Sequence, residues 1–130
     1  MKKTRILAAL LALVMVLAFA GCGKKEASDG KQEEKGADVK VGFIFLHDEN
    51  STYDKNFMDA ATEAKKALGL SDAQVVFKTN IPEGNECYEA AADLADQGCN
   101  IVFADSFGHE PYLLKAAKEF PNVQFCHATG

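Results

Sequence analysis

An apolar run, Val39-Lys-Val-Gly-Phe-Ile-Phe-Leu46, gives way at once to His47-Asp-Glu-Asn-Ser-Thr-Tyr-Asp-Lys-Asn-Phe57, a polar loop carrying two aromatic rings. The run is too short to span a bilayer and rich in β-branched and aromatic residues. It is expected to form a strand buried on both faces, the first and central strand of a sheet. A strand of that kind needs cover on both sides, which a helix-flanked parallel sheet supplies. In such open α/β sheets the ligand crevice lies beyond the carboxyl ends of the strands, so the side chains of residues 47–57 are placed to meet a ligand.

The rest of the chain repeats this alternation. A helix is expected to start at Ser51, with its hydroxyl capping and Asp54 returning the bond as in a capping box. Phe57, Ala60, Ala61, Ala64 and Leu68 recur at helical spacing before the stop at Gly69. Residues 73–79 read as a second strand and 80–84 as a turn. Residues 85–97 form a second helix with the stripe Cys87, Ala90, Ala91 and Leu94, stopped at Gly98. Residues 100–104 are a third strand, ending in Asp105-Ser-Phe-Gly108. Pro111 suits the first turn of a third helix through Glu119, where its missing N–H costs nothing, and residues 123–127 are a fourth strand.

This β-α-β-α-β-α-β pattern with short connections predicts a parallel sheet with right-handed crossovers and strand order 2-1-3-4. That order gathers residues 47–57, 105–110 and 127–130 on one rim. The fourth strand would present an open edge, a liability that complete domains cover, so the chain is expected to be a piece of a larger protein.

Residues 1–20 have a different composition. Lys2, Lys3 and Arg5 precede an uninterrupted apolar segment at 6–20, and Gly21-Cys22 follows. Basic start, short apolar region, small residues and cysteine together are what an exported bacterial lipoprotein requires at its cleavage and acylation site. One departure is Phe19, where leucine is usual. Residues 1–21 are thus expected to be a signal peptide and Cys22 the lipidated residue, carrying a chain such as palmitate. Residues 22–38 would be a flexible tether with no large apolar group, and residues 39–130 the folded part, outside the cytoplasm. Loss of Lys2, Lys3 and Arg5 from the 14 basic residues, against 19 acids, takes the formal net charge from −5 to about −8. Such a surface argues against nucleic acid as a partner. Cys87, Cys99 and Cys126 are odd in number and lack metal-ligand spacing, so they read as buried free thiols, with a Cys99–Cys126 bridge left open.

No phosphate-cradling glycine motif follows a strand, and Ser106 lacks the flanking glycines of a nucleophile elbow, so the chain is read as a non-enzyme with no cofactor. His47, His109 and His127 lie on three loops and read as hydrogen-bonded loop histidines, without the further partners a metal or catalytic site needs. Asp48, Glu49 and Asp105 resemble the acid placement of a phospho-accepting receiver domain, a reading disfavoured by the lack of phosphodonors outside the cell. Carboxylates and amides beside aromatic rings suit a planar, polyhydroxylated ligand instead. The candidate polar groups are Asp48, Asp54, Asn56, Asp105 and Ser106; the candidate platforms are Tyr53, Phe57 and Phe107. Against these stand plainer roles: Phe57 in the core, Asp54 as a cap, Asp48 and Glu49 in solvent.

Lys40-Val-Gly-Phe-Ile-Phe45, Asp54-Lys-Asn-Phe57, Ile81-Pro-Glu-Gly84, Ala104-Asp-Ser-Phe-Gly108, Ala117-Lys-Glu-Phe-Pro121 and Phe125-Cys-His-Ala-Thr-Gly130, at this spacing, resemble the basic membrane protein (BMP) family of substrate-binding lipoproteins. The resemblance implies a type I periplasmic-binding-protein fold, of which this chain holds only part of the N-terminal lobe. It also implies ABC permease partners, membrane attachment through the lipid anchor, and a nucleoside-like solute. Asp54-Lys55-Asn56-Phe57-Met58 matches the family's D-K-S-F-N segment, which implies Asp54 near the ligand and Phe57 against its ring. Two departures are the replacement of glycines after the first strand by Asp48, Glu49 and Asn50, and Met58 in place of asparagine. A sensor input protein of the same fold, reporting occupancy to a membrane kinase, is the other function such a chain could serve.

Overall fold

The structure is a computed structural model that describes residues 38–129. The expected signal peptide, Cys22 and nearly all of the tether lie outside the described residues. Four parallel strands, β1 (Val41–Ile44), β2 (Val75–Lys78), β3 (Ile101–Ala104) and β4 (Gln124–His127), pair in the order β2-β1-β3-β4. The connecting helices are α1 (Thr52–Ala67), α2 (Asn85–Asp96) and α3 (Glu110–Glu119). The architecture is therefore the helix-flanked parallel sheet anticipated from the alternation. Two short 3-10 turns, Asp72–Gln74 and Phe107–His109, were not anticipated.

The strands are in step: Phe43 of β1 faces Phe77 of β2 and Phe103 of β3, which in turn faces Cys126 of β4. Alternation then sends Ile44, Val102 and Ala104 to the opposite face, where they pack against Cys87, Ala90, Ala91 and Leu94 of α2 and Leu113 and Ala116 of α3. Gly42 lies on this face too. A Cβ there would come within 2.8 Å of Leu94, so the absent side chain is what lets α2 lie close to the sheet. Helices α1 and α2 stop where expected, with Gly69 and Gly98 at φ 64° and 85°, a conformation glycine adopts without steric cost. Cys87, Cys99 and Cys126 are free; the first two are buried and Cys126 is half-buried. Burial pushes the Cys87 thiol up to about 12, which keeps it protonated and inert.

The phenylalanine face is covered less completely. Ala60, Ala64 and Leu68 were expected in the buried stripe of α1 but are exposed, and only Asp54, Met58 and Ala61 of that helix are buried. The physical reason is volume. Alanine methyls are too short to fill the space above Phe43 and Phe103, so a groove of about 390 Å³ remains there, lined also by Phe57 and Leu68.

Ser51 does cap α1, accepting from the Asp54 N–H at 3.3 Å. The reciprocal half of the capping box does not form. The Ser51 N–H is taken by the Asp48 carbonyl at 3.0 Å, and the Asp54 carboxylate turns inward. Ser51→Ala removes this cap and should lower stability by about 1 kcal/mol; urea unfolding of both proteins measures it, and an unchanged midpoint would show that Ser51 contributes nothing.

Candidate functional site

The rim is built around the peptide that follows β3. Asp105 is 2% exposed, and its Oδ1 accepts the Leu46 N–H at 3.2 Å while its carbonyl accepts the Tyr53 hydroxyl at 2.9 Å. The next carbonyl, of Ser106, accepts from His127 Nε2 at 2.5 Å. The Ser106 hydroxyl donates to the Glu83 carboxylate, which also accepts the Gly108 N–H at 2.9 Å. A side chain at position 108 would occupy the place of Glu83, so glycine there permits the contact. His109, fully buried, donates from Nε2 to the Ile81 carbonyl at 2.9 Å. Segments that follow β1 and β2, and the last residue of β4, thus meet at one dipeptide after β3, Asp105-Ser106. Hydrogen bonds to Ser106 and Gly108 hold the Glu83 carboxyl below the usual carboxylate range.

Two acids meet beneath this dipeptide. Asp54 is fully buried in the first turn of α1; it accepts from the His47 N–H at 2.9 Å, from His47 Nδ1 at 3.1 Å and from the Ser51 hydroxyl at 2.5 Å. Burial alone would raise its pKa, but these donors outweigh burial and bring it down to about 2. The positive end of α1 favours the anion as well. Asp105 stands the other way. Burial, together with the neighbouring Asp54 carboxylate, pushes it up to about 7, and its Oδ2 finds no donor among the described residues.

In front of Asp105 opens a cleft of about 330 Å³. Phe43, Phe45, Phe57 and Phe103 wall it, and Asp105 and His127 bring the polar groups. Its aromatic walls continue through the sheet: the Phe43 and Phe103 rings stack at 5.3 Å, and Tyr53 lies 5.1 Å from Phe57 at a tilt. Of the residues singled out from sequence, Phe57 and Asp105 line this cleft. Asp54 and Tyr53 do not line it: Asp54 bonds His47, and Tyr53 bonds the Asp105 carbonyl and lies against Phe57. Ser106 is buried in the loop junction, and Phe107, 71% exposed, points away from the junction into solvent. Asp48 is half-buried and bonds Asn50, whose N–H and side chain lower its pKa. Asn56 is exposed on α1. The strand phenylalanines Phe43, Phe45 and Phe103, and Cys126, were not anticipated as site residues. From the sequence their strands read as core alone, and only the packing volumes of α1 leave these rings lining a cleft. Among the described residues, no three His, Cys, Asp or Glu side chains gather as a metal site, and no helix is long and apolar enough to cross a membrane.

No protein-family model matches the chain. A purine-binding protein of Brucella abortus (strain 2308) is 37% identical over 101 residues, which cover 75% of this chain. The chain belongs to the BMP-like family of substrate-binding proteins. It spans 27% of the length of that relative. An ABC transporter system solute-binding protein from Conexibacter woesei superposes with a TM-score of 0.56 at 24% identity, over 67% of this chain and 28% of its own, a likeness of fold. In this BMP-like chain the cleft opens where α/β binding folds place their ligands.

Proposed function

We propose that the chain supplies one wall of the solute cleft of an ABC importer's extracytoplasmic binding protein, anchored to the membrane by acylated Cys22. The solute is a purine nucleoside or a similar planar, polar molecule. The observation that carries this reading is the placement of Phe57 and Asp105 on one cleft at the carboxyl ends of β1 and β3. An aromatic wall binds a planar ring by stacking, worth about 1–3 kcal/mol per base. Asp105 and His127 then orient its polar edge. The purine-binding relative supports the solute class, and the lipoprotein-like first 22 residues support the location. The chain acts by binding, without catalysis. In two-lobed binding proteins the lobes close on the ligand by a hinge motion, and the permease reads the closed form.

A single wall binds weakly. Titration calorimetry of the chain with inosine, adenosine and guanosine should give dissociation constants no tighter than about 10 μM, a free energy near −7 kcal/mol. Phe57→Ala should weaken binding by at least about tenfold, as expected for loss of one stacking contact. Submicromolar binding would contradict the one-wall account, and unchanged affinity in Phe57→Ala would contradict the assignment of the cleft.

A further inference from the structure

Helix α1 is held by hydrogen bonds to the rim at its first turn and, beyond it, by the buried Met58 and Ala61. Along its middle the groove of about 390 Å³ separates it from the strands, and Ala60, Ala64 and Leu68 are exposed. At its first turn, by contrast, Tyr53 donates to the Asp105 carbonyl and Asp54 is buried against the Asp105 carboxyl. Phe57, one turn on, lines both the groove and the rim cleft, as Phe43 and Phe103 of the strands do, and is the one of the three carried by α1.

We propose that Asp54 and Asp105 form a one-proton latch: with a proton shared between them the first turn of α1 is docked on β3, and loss of that proton releases it. The geometry that motivates it is the position of the two carboxyl groups, 0% and 2% exposed: they take the successive N–H groups of Leu46 (to Asp105 Oδ1, 3.2 Å) and His47 (to Asp54 Oδ1, 2.9 Å), and Asp105 Oδ2 has no N–H or O–H donor among the described residues. A second buried negative charge there would be uncompensated. The groups facing the pair from each packed element are few. From the loop before α1 come His47 and the Ser51 hydroxyl, both already bonded to Asp54. Tyr53 of α1 donates to the Asp105 main chain. Glu83, from the loop after β2, and His127 of β4 reach Ser106 rather than either acid. Among the described residues, no lysine or arginine is bridged to the pair. A proton on Asp105 therefore turns a repulsion into a hydrogen bond to Asp54, consistent with the upward displacement of Asp105 by burial and by its neighbour. When that proton leaves, the repulsion falls on the end of α1 that carries Phe57, the one ring shared by cleft and groove that moves with the helix. The latch operates whatever solute binds, so its failure would leave the binding reading standing, and failure of that reading would leave the latch standing.

Carboxyl-detected NMR of the chain carrying ¹³C-labelled aspartate tests it. One aspartate should titrate near neutrality, and in Asp54→Asn that midpoint should fall by a unit or more. Amide exchange in α1, at Asn56 to Asp59, should lose about tenfold in protection between pH 6 and pH 8.5 beyond the intrinsic rate change, the factor that one unit of proton linkage corresponds to. Asp105→Asn, which supplies a permanent neutral donor, should keep its protection at pH 8.5. If every aspartate of the unaltered protein titrates below pH 5, or if α1 protection is constant from pH 6 to pH 8.5, there is no latch. Both measurements are made on the unaltered chain, so they decide the matter even where a variant fails to fold.

Discussion

Leu94→Ala should cost about 2–5 kcal/mol, a large part of the stability of a domain this size. Leu94 is fully buried on α2, and its two methyls lie over the backbone of Gly42, where a Cβ would come within 2.8 Å and 2.9 Å of them. Truncation leaves a cavity between helix and central strand, because the surrounding alanines and Val102 have no longer side chain to move into it. The same contact predicts the opposite substitution. Gly42→Ala overpacks the site and should destabilise by about 1–3 kcal/mol. The two changes compensate each other: a methyl at position 42 occupies part of the space that Leu94→Ala vacates. Urea unfolding of the two single variants and the double variant should show the double variant less destabilised than the sum by at least about 1 kcal/mol. Simple additivity would mean that Leu94 and Gly42 do not touch.

Stability should fall as the pH rises from 5 to 8, the reverse of what a paired carboxylate produces. Asp105 is raised in the folded protein, to about 7, so between its ordinary value and that point the folded state holds a proton that the unfolded state has released. Where the native state binds more protons, the free energy of unfolding decreases with pH. Asp105 therefore penalises the fold progressively above about pH 4 and fully above pH 7. Two units of that range correspond to roughly 3 kcal/mol between pH 5 and pH 8. Asp54 works the other way in a different window: with its pKa at about 2, it stabilises above the ordinary carboxylate value and loses that contribution only as the pH falls through about 2. Thermal unfolding at pH 5 and pH 8 should show the higher midpoint at pH 5, and Asp105→Asn should remove most of the difference. An equal or higher midpoint at pH 8 in the unaltered protein would refute the assignment.

The sheet was legible because each of its signals is local. Runs ending at Leu46, Thr79, Ala104 and His127, helical stripes between them, and glycines 69 and 98 at the stops fix type and order, and short connections leave little freedom in topology. The site was legible in part. Asp105 stands out as an acid directly after a strand, and Phe57 as a ring in the first turns of the helix that follows the polar loop. Three features escaped for physical reasons. Asp54 lies three residues after Ser51, the spacing of a capping box, yet the Asp48 carbonyl already holds the Ser51 N–H, and only the tertiary fold shows that the carboxylate serves His47 instead. The tie from Glu83 to Ser106 and Gly108 spans more than twenty residues and leaves no periodic trace. Phe43, Phe45 and Phe103 read as core from their strands alone; their place in a cleft follows from how little α1 covers, a property of packing volumes rather than of pattern.

The central proposal is that a purine-like solute touches this chain at the aromatic cleft at the strand ends. The most direct measurement is chemical-shift mapping of the chain, labelled at its phenylalanine, aspartate and histidine side chains, during titration with adenosine to millimolar concentration. Saturable shifts are expected at Phe57, Phe103, Asp105 and His127, with ribose alone producing none. Shifts confined to Phe107, Asp48 or the outer surface of α2 and α3, or no saturable shifts at all, would contradict it.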